Sequence, residues 1–179
     1  MSSAVMTKRI TATPPRFKAK MAGVLSLLSV LAAALAETFA RGGLNVAAGL
    51  IAVLGMIGVT LLFYDTLSPV NRNLSLLAVS FNLVGLIIEA LRLQPRGVNI
   101  AYVFDGFYCI LIGCLLFRST FRPRILGALM VFGGLGWLTF LSSPLANYLS
   151  SYNLACGLLG EGSVCLWLIL SDTAMERTG

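Results

Sequence analysis

The chain reads as an all-α integral membrane protein with six transmembrane helices and both termini cytoplasmic. Three observations carry this reading. Hydrophobic residues make up 58% of the 179 residues and charged residues 11%, with a mean hydropathy of +0.89; a soluble domain averages about 25% charged residues. Uncharged runs are long: 23 residues from Gly42 to Tyr64 and 36 from Ile125 to Gly160, where ~18 suffice for a membrane helix. Lys and Arg are unevenly divided between the connections, which sets orientation.

Residues 1–20 form a basic tail with Lys8, Arg9, Arg16, Lys18 and Lys20, broken by Pro14 and Pro15, and are expected to be disordered. Six spans follow at 21–40, 44–65, 73–93, 98–118, 124–142 and 152–171. Together they make one membrane domain over 21–171, and 172–179 is a short cytoplasmic tail. Turn formers mark the connections: Gly42-Gly43, Ser68-Pro69, Pro95 with Gly97, Pro123, and Ser142-Ser143-Pro144. Ala34-Leu35-Ala36 resembles a signal cleavage site, but the tail is long for such a signal, and the threading works best with span 1 retained.

The N-terminal tail, the connections after spans 2 and 4, and the C-terminus hold ten of the thirteen basic residues; Arg41, Arg92 and Arg96 hold the other side. The richer side is cytoplasmic. The net charge of +6 therefore faces anionic lipid headgroups and is no nucleic-acid surface. The Arg118–Arg124 cluster reads as a topology anchor, with a cytoplasmic anionic ligand as the minor alternative.

A weak internal repeat has a period of 52 residues. Lys20, Arg72 and Arg124 each open an odd-numbered span, and each is followed by Leu five residues on; Glu37 and Glu89 are also 52 apart. Three parallel helical hairpins about the membrane normal would produce this pattern. Chance similarity between hairpins of equal length would produce it too.

Glu161 is the most informative residue, a carboxylate near the middle of span 6, where charge costs several kcal/mol. Asp105 lies about seven residues into span 4 from the outer side, roughly 11 Å deep, and Glu161 about nine residues into span 6, roughly 14 Å deep. Glu37 and Glu89 stand near the outer ends of spans 1 and 3, with Arg92 close by. Tyr102, Asp105 and Tyr108 share a helical stripe, as do Asn153, Gly157, Gly160 and Glu161. Asn82 offers an amide in mid-span 3. The candidate ligand or ion pocket is thus Glu161, Asp105, Tyr102, Tyr108, Asn82, Glu89, Arg92 and Glu37; the alternative is a structural network of hydrogen bonds and ion pairs. Arg92 or Asn82 is the expected partner of Glu161.

Other chemistry is poorly supported. There is no histidine, which removes ordinary haem ligation and His-based zinc chemistry. Cys109, Cys114, Cys156 and Cys165 all fall within spans and share no helical face, so they are expected to be free buried thiols. No metal site and no cofactor is expected. Gly133-Gly134 and Gly136 in span 5 have no strand before them and no Lys-Ser/Thr after them, so they read as close helix packing rather than a phosphate loop. Trp137, Tyr148, Tyr152 and Trp167 are candidate interfacial anchors, with Trp137 and Trp167 alternatively packing residues.

Three motifs resemble one family. They are Leu67-Ser-Pro-Val-Asn-Arg-Asn-Leu-Ser-Leu-Leu-Ala78, the block from Gly106 through Arg118-Ser119 to Pro123-Arg124-Ile-Leu-Gly127, and Gly160-Glu161 with Leu166-Trp167-Leu168. In this order they resemble the bacterial multi-pass membrane proteins catalogued as domain of unknown function 4386, over roughly 18–171. The resemblance places Arg72, Arg118, Pro123, Arg124 and Glu161 on motif positions. It implies the bacterial cytoplasmic (inner) membrane and no particular activity. Family members often carry histidine where this chain has Tyr108, so a metal or proton role does not transfer to that position. The leading functional reading is a non-enzymatic membrane protein, either a small-ligand or lipid-binding module or a subunit alongside other membrane proteins. The alternatives are a small proton- or cation-coupled secondary transporter and, less supported, an intramembrane enzyme.

Overall fold

Long uncharged sequences leave helix as the means of satisfying every backbone polar group within lipid. The computed structural model describes residues 15–38, 43–93, 100–119 and 123–175, and among these no strand occurs. The helices are α1 (Pro15–Thr38), α2 (Gly43–Leu67), α3 (Arg72–Ala90), α4 (Ile100–Arg118), α5 (Arg124–Leu138), the short α6 (Ser143–Tyr148) and α7 (Ser150–Met175). A 3-10 turn, Thr139–Leu141, continues α5. Among the described residues, four helices are long and apolar enough to cross a bilayer: α2, α3, α4 and α5 with its 3-10 extension. The apolar stretches within α1 and α7 are shorter, Lys20–Ala33 and Ala155–Leu170.

Local chemistry fixes the helix ends. The Asn71 side chain accepts a hydrogen bond from the Leu74 amide at 3.0 Å and caps α3. The far end of α3 closes differently: the Arg92 amide donates to the Glu89 carbonyl and the Leu93 amide to the Ile88 carbonyl, while Arg92 itself sits at φ 51°. That is a Schellman closure with arginine at the left-handed position usually given to glycine. Two boundaries depart from the sequence expectation. Residues 15–20, expected within a disordered tail, are helical: Pro15 opens α1, where its missing N–H costs nothing, and Lys18 pairs with Asp65 at the end of α2. The connection expected between spans 5 and 6 folds into α6, with Pro144 in its first turn.

The packing partners form a closed sequence: α1 on α2, α2 on α3, α3 on α4, α4 on α5, α5 on α7, and α7 back on α1. α4 is the most enclosed helix, with half of its apolar window buried against about a quarter for α2, α3 and α5. Glycine makes the tightest contacts. A Cβ on Gly134 would meet the Gly106 carbonyl oxygen at 2.6 Å, and one on Gly160 would meet the Leu129 carbonyl oxygen at 2.9 Å, so α5 is gripped between the backbones of α4 and α7, as small residues permit in lipid. Leu44, Ile51, Leu54 and Leu61 of α2 stay exposed. In water such a face would be a liability, but in hydrocarbon it is neutral.

The solid core occupies one end of the bundle. Ala22, Ala78 and Leu126 come from the first halves of α1, α3 and α5, and Phe63, Leu116 and Leu168 from the later parts of α2, α4 and α7. The other end is hollow.

Candidate functional site

The hollow is a partly open cavity of about 500 Å³ to which all six long helices contribute. α1, α3 and α5 give residues of their second halves, such as Val30, Gly85 and Trp137. The even-numbered spans give residues nearer their starts, such as Val53, Asp105 and Gly157. The wall is mainly aliphatic; its carboxyl groups come from α3, α4 and α7, and Ser26 and Ser29 of α1 add hydroxyls.

Five of the eight sequence-selected residues line the cavity: Glu161, Asp105, Tyr102, Asn82 and Glu89. Three do not. Tyr108 is buried in the solid core at 1% exposure. Arg92 is exposed at the end of α3, where its guanidinium donates to the Asn45 side chain. Glu37 falls in the last turn of α1, and its side chain lies outside the described residues.

Glu161 is held differently from the expectation. Asn82 donates its amide to Thr60 Oγ1 at 2.7 Å, and Arg92 is engaged at Asn45. Instead the Trp137 indole N–H donates to Glu161 Oε1 at 3.1 Å, and the Cys109 thiol lies 3.7 Å from the same oxygen. Asp105, Cys109 and Glu161 each present a ligand atom, all within 4.8 Å of one another. Among the described residues, the one ion pair is Lys18 with Asp65, far from this cluster in sequence and on other helices.

Aromatic packing fixes Trp137. Its ring stacks on Tyr102 with centroids 5.0 Å apart and 26° between planes, and Phe140 meets Tyr102 edge-on at 5.0 Å. The indole also lies against Gly157, where a Cβ would come within 2.4 Å of a ring carbon. The i−4 spacing of Gly157 and Glu161 places both on one face of α7, so the glycine admits the indole and the carboxylate receives its proton donor. Trp137 and Cys109 were not selected as site residues from sequence. A tryptophan 24 positions upstream of the carboxylate carries no local signal of contact, and an apolar span hides one thiol among its hydrophobes.

The arrangement can bind a cation. The triad offers two oxygens and one sulfur, a donor set open to a soft divalent metal, and the carboxyl pair can equally hold a proton or an organic cation. It lacks a histidine, and nothing in it identifies an activated nucleophile, so it specifies no reaction.

Residues 86–171 match the family described as domain of unknown function (DUF4386). The resemblance drawn from the motifs is shown over this stretch. The match begins within α3 and takes in α4, α5 and most of α7, hence Asp105, Trp137 and Glu161; the Leu67–Ala78 motif precedes it. An uncharacterized protein of Archaeoglobus fulgidus is 26% identical over 132 residues, 68% of this chain and 79% of that protein. No solved structure matches the chain.

Proposed function

We propose that the protein is a non-enzymatic, multi-pass membrane protein that binds a small molecule in this cavity from the outer side of the cytoplasmic (inner) membrane. The observation that carries the reading is a 500 Å³ cavity with three carboxyl groups on its wall, Glu89 and the close pair Asp105 and Glu161, at one end of a bundle whose other end is solid. The six long helices are all spans. Both termini are then cytoplasmic by the basic-residue count, and the cavity lies in the outer half. Arg72, Arg118 and Arg124, exposed at the opposite end, meet anionic lipid headgroups there. Association with other membrane subunits through the exposed aliphatic faces belongs to the same reading.

Three hairpins in parallel fit this architecture. Ala33, Gly85 and Trp137 are 52 residues apart in turn and all line the cavity; so are Val53, Asp105 and Gly157. The close α4–α5 contact at Gly113 and Gly127 has its counterpart, one period on, in the α7–α1 contact where Cys165 donates to the Gly23 carbonyl at 3.0 Å.

Val53→Cys, on a background with the four native cysteines replaced by Ser or Ala, tests the cavity and its side together. A membrane-impermeant methanethiosulfonate added outside intact cells is expected to label it. Labelling confined to inverted vesicles, or absent until the protein is unfolded, would overturn the reading. A second reading, a proton- or cation-coupled carrier, is favoured by the position of Asp105 and Glu161 beside Cys109, itself part of the solid core. There a bound charge would sit at the junction of open and closed halves. Proton uptake coupled to solute flux in proteoliposomes separates the two.

A further inference from the structure

The cavity wall has a chemical bias that narrows its ligand, and the argument rests on the ligand-binding reading above. Asp105 and Glu161 put two carboxyl groups within 4.8 Å of each other, both half-buried and both facing the cavity. Among the described residues lining it there is neither Lys nor Arg. Two carboxylates so placed in a low-dielectric bundle repel, and each favours a positive charge between them. Glu161 already accepts the Trp137 N–H, a neutral donor that leaves the carboxyl pair without a cationic partner.

Beside this acidic spot stands an aromatic surface. Tyr102 and Trp137, stacked on each other, both line the cavity, and their rings add rigid apolar area beside the carboxyl groups. The remaining wall is mostly apolar, including Leu27, Val30, Met56, Leu86 and Leu158, and its other polar side chains are Ser26, Ser29, Asn82, Cys165 and a third carboxyl, Glu89. A bare metal ion would use three donor atoms and leave most of 500 Å³ unmatched. A phospholipid headgroup would bring a phosphate against two carboxyls. An anion would meet the same carboxyl groups.

We propose that the cavity takes a monovalent organic cation, an amine or quaternary ammonium carried on an apolar body, with its charge between Asp105 and Glu161 and its body against the aliphatic wall.

The test uses the full chain in uncharged maltoside micelles, with radiolabelled benzyltrimethylammonium as probe and empty micelles as blank. Its neutral isostere, 2,2-dimethylpropylbenzene, has the same shape with carbon in place of nitrogen. Saturable binding is expected, displaced by the unlabelled cation and at least tenfold less effectively by the isostere. The Glu161→Gln, Asp105→Asn double variant is expected to weaken binding at least tenfold. Ala33→Phe, which fills the cavity from another wall, should also abolish it, so the result does not hang on the double variant's folding. Equal displacement by the isostere would overturn the cation assignment and leave a cavity for small apolar molecules standing. Displacement by Zn2+ at a tenfold lower concentration than the unlabelled cation would overturn it in favour of a metal at the triad. No saturable binding of the probe would overturn it outright, whatever the outside labelling of Val53→Cys shows.

Discussion

Glu161 depends on neighbours that the sequence does not announce. Its strongest donor is the Trp137 indole at 3.1 Å, and a hydrogen bond to a charged group contributes roughly 1.5–3 kcal/mol. Trp137→Phe keeps the stack on Tyr102 but removes that donor, so it is expected to destabilise the protein by about 2 kcal/mol, measured by thermal unfolding in detergent. Glu161→Gln should behave in the opposite way. The amide oxygen still accepts the indole N–H, the repulsion with Asp105 disappears, and no ion pair to Glu161 exists among the described residues. Its unfolding temperature is expected to equal or exceed the wild type; a fall of about 5 °C or more would reveal a buried cationic partner. Gly157→Ala drives a methyl into the indole, and such overpacking costs about 1–3 kcal/mol, with the Trp137 fluorescence shifting as the ring is displaced. Glu161, Asp105 and the Gly157–Gly160–Glu161 stripe were legible in the sequence because charge and glycine are conspicuous in an apolar helix. Trp137 and Cys109 were not, because their roles arise from the packing of α4 and α5 against α7, and tertiary contact has no local pattern.

At the scale of elements, the ends of α3 explain one motif and correct one assignment. Asn71, within Pro69-Val-Asn-Arg72, is an N-cap whose side chain accepts the Leu74 amide. Replacing such a cap by alanine costs typically ~1 kcal/mol, so Asn71→Ala is expected to lower stability by about that amount without altering the cavity. Arg92, expected as a partner for a membrane carboxylate, instead terminates α3 in a left-handed conformation, φ 51°. A non-glycine residue there is strained by roughly 1–2 kcal/mol, offset in part by its bond to Asn45. Arg92→Gly is therefore expected to leave stability unchanged or slightly raised. A loss above about 1 kcal/mol in the same unfolding assay would show that the Asn45 contact outweighs the strain. Helix identity was readable from the sequence, since long apolar runs between turn formers admit little else. The start of α1 and the extra helix α6 were not, because a proline pair and a Ser-Ser-Pro triplet signal a break and a helix start equally well.

For the whole molecule, the decisive feature is the division of the bundle into a solid end and a hollow end. The solid end carries Ala22, Ala78, Leu116, Leu126 and Leu168, and the chain places Arg72, Arg118 and Arg124 beyond it. The hollow end carries the carboxyl groups. If the basic end faces the cytoplasm, as the ten-to-three division of Lys and Arg requires under the positive-inside tendency, the cavity opens away from it, and a ligand reaches Asp105 and Glu161 from outside. If the orientation were reversed, the same cavity would sample cytoplasmic solutes, and the proposed function would change even though every contact stayed the same. Orientation is therefore the property on which the functional reading turns, and side-chain packing does not determine it. A reporter active only outside the cytoplasmic membrane, fused after Gly179, is expected to give no signal, while a cytoplasm-active reporter at the same position should be bright. Because α7 starts on the side opposite Lys20 only if an odd number of crossings precedes it, as when α1 through α5 all span, inserting the same pair of reporters after Ser68 and after Ser142 checks the count as well. Ser68 should score as inside and Ser142 as outside. Two sites on the same side would remove one span from the ring and with it the outward cavity.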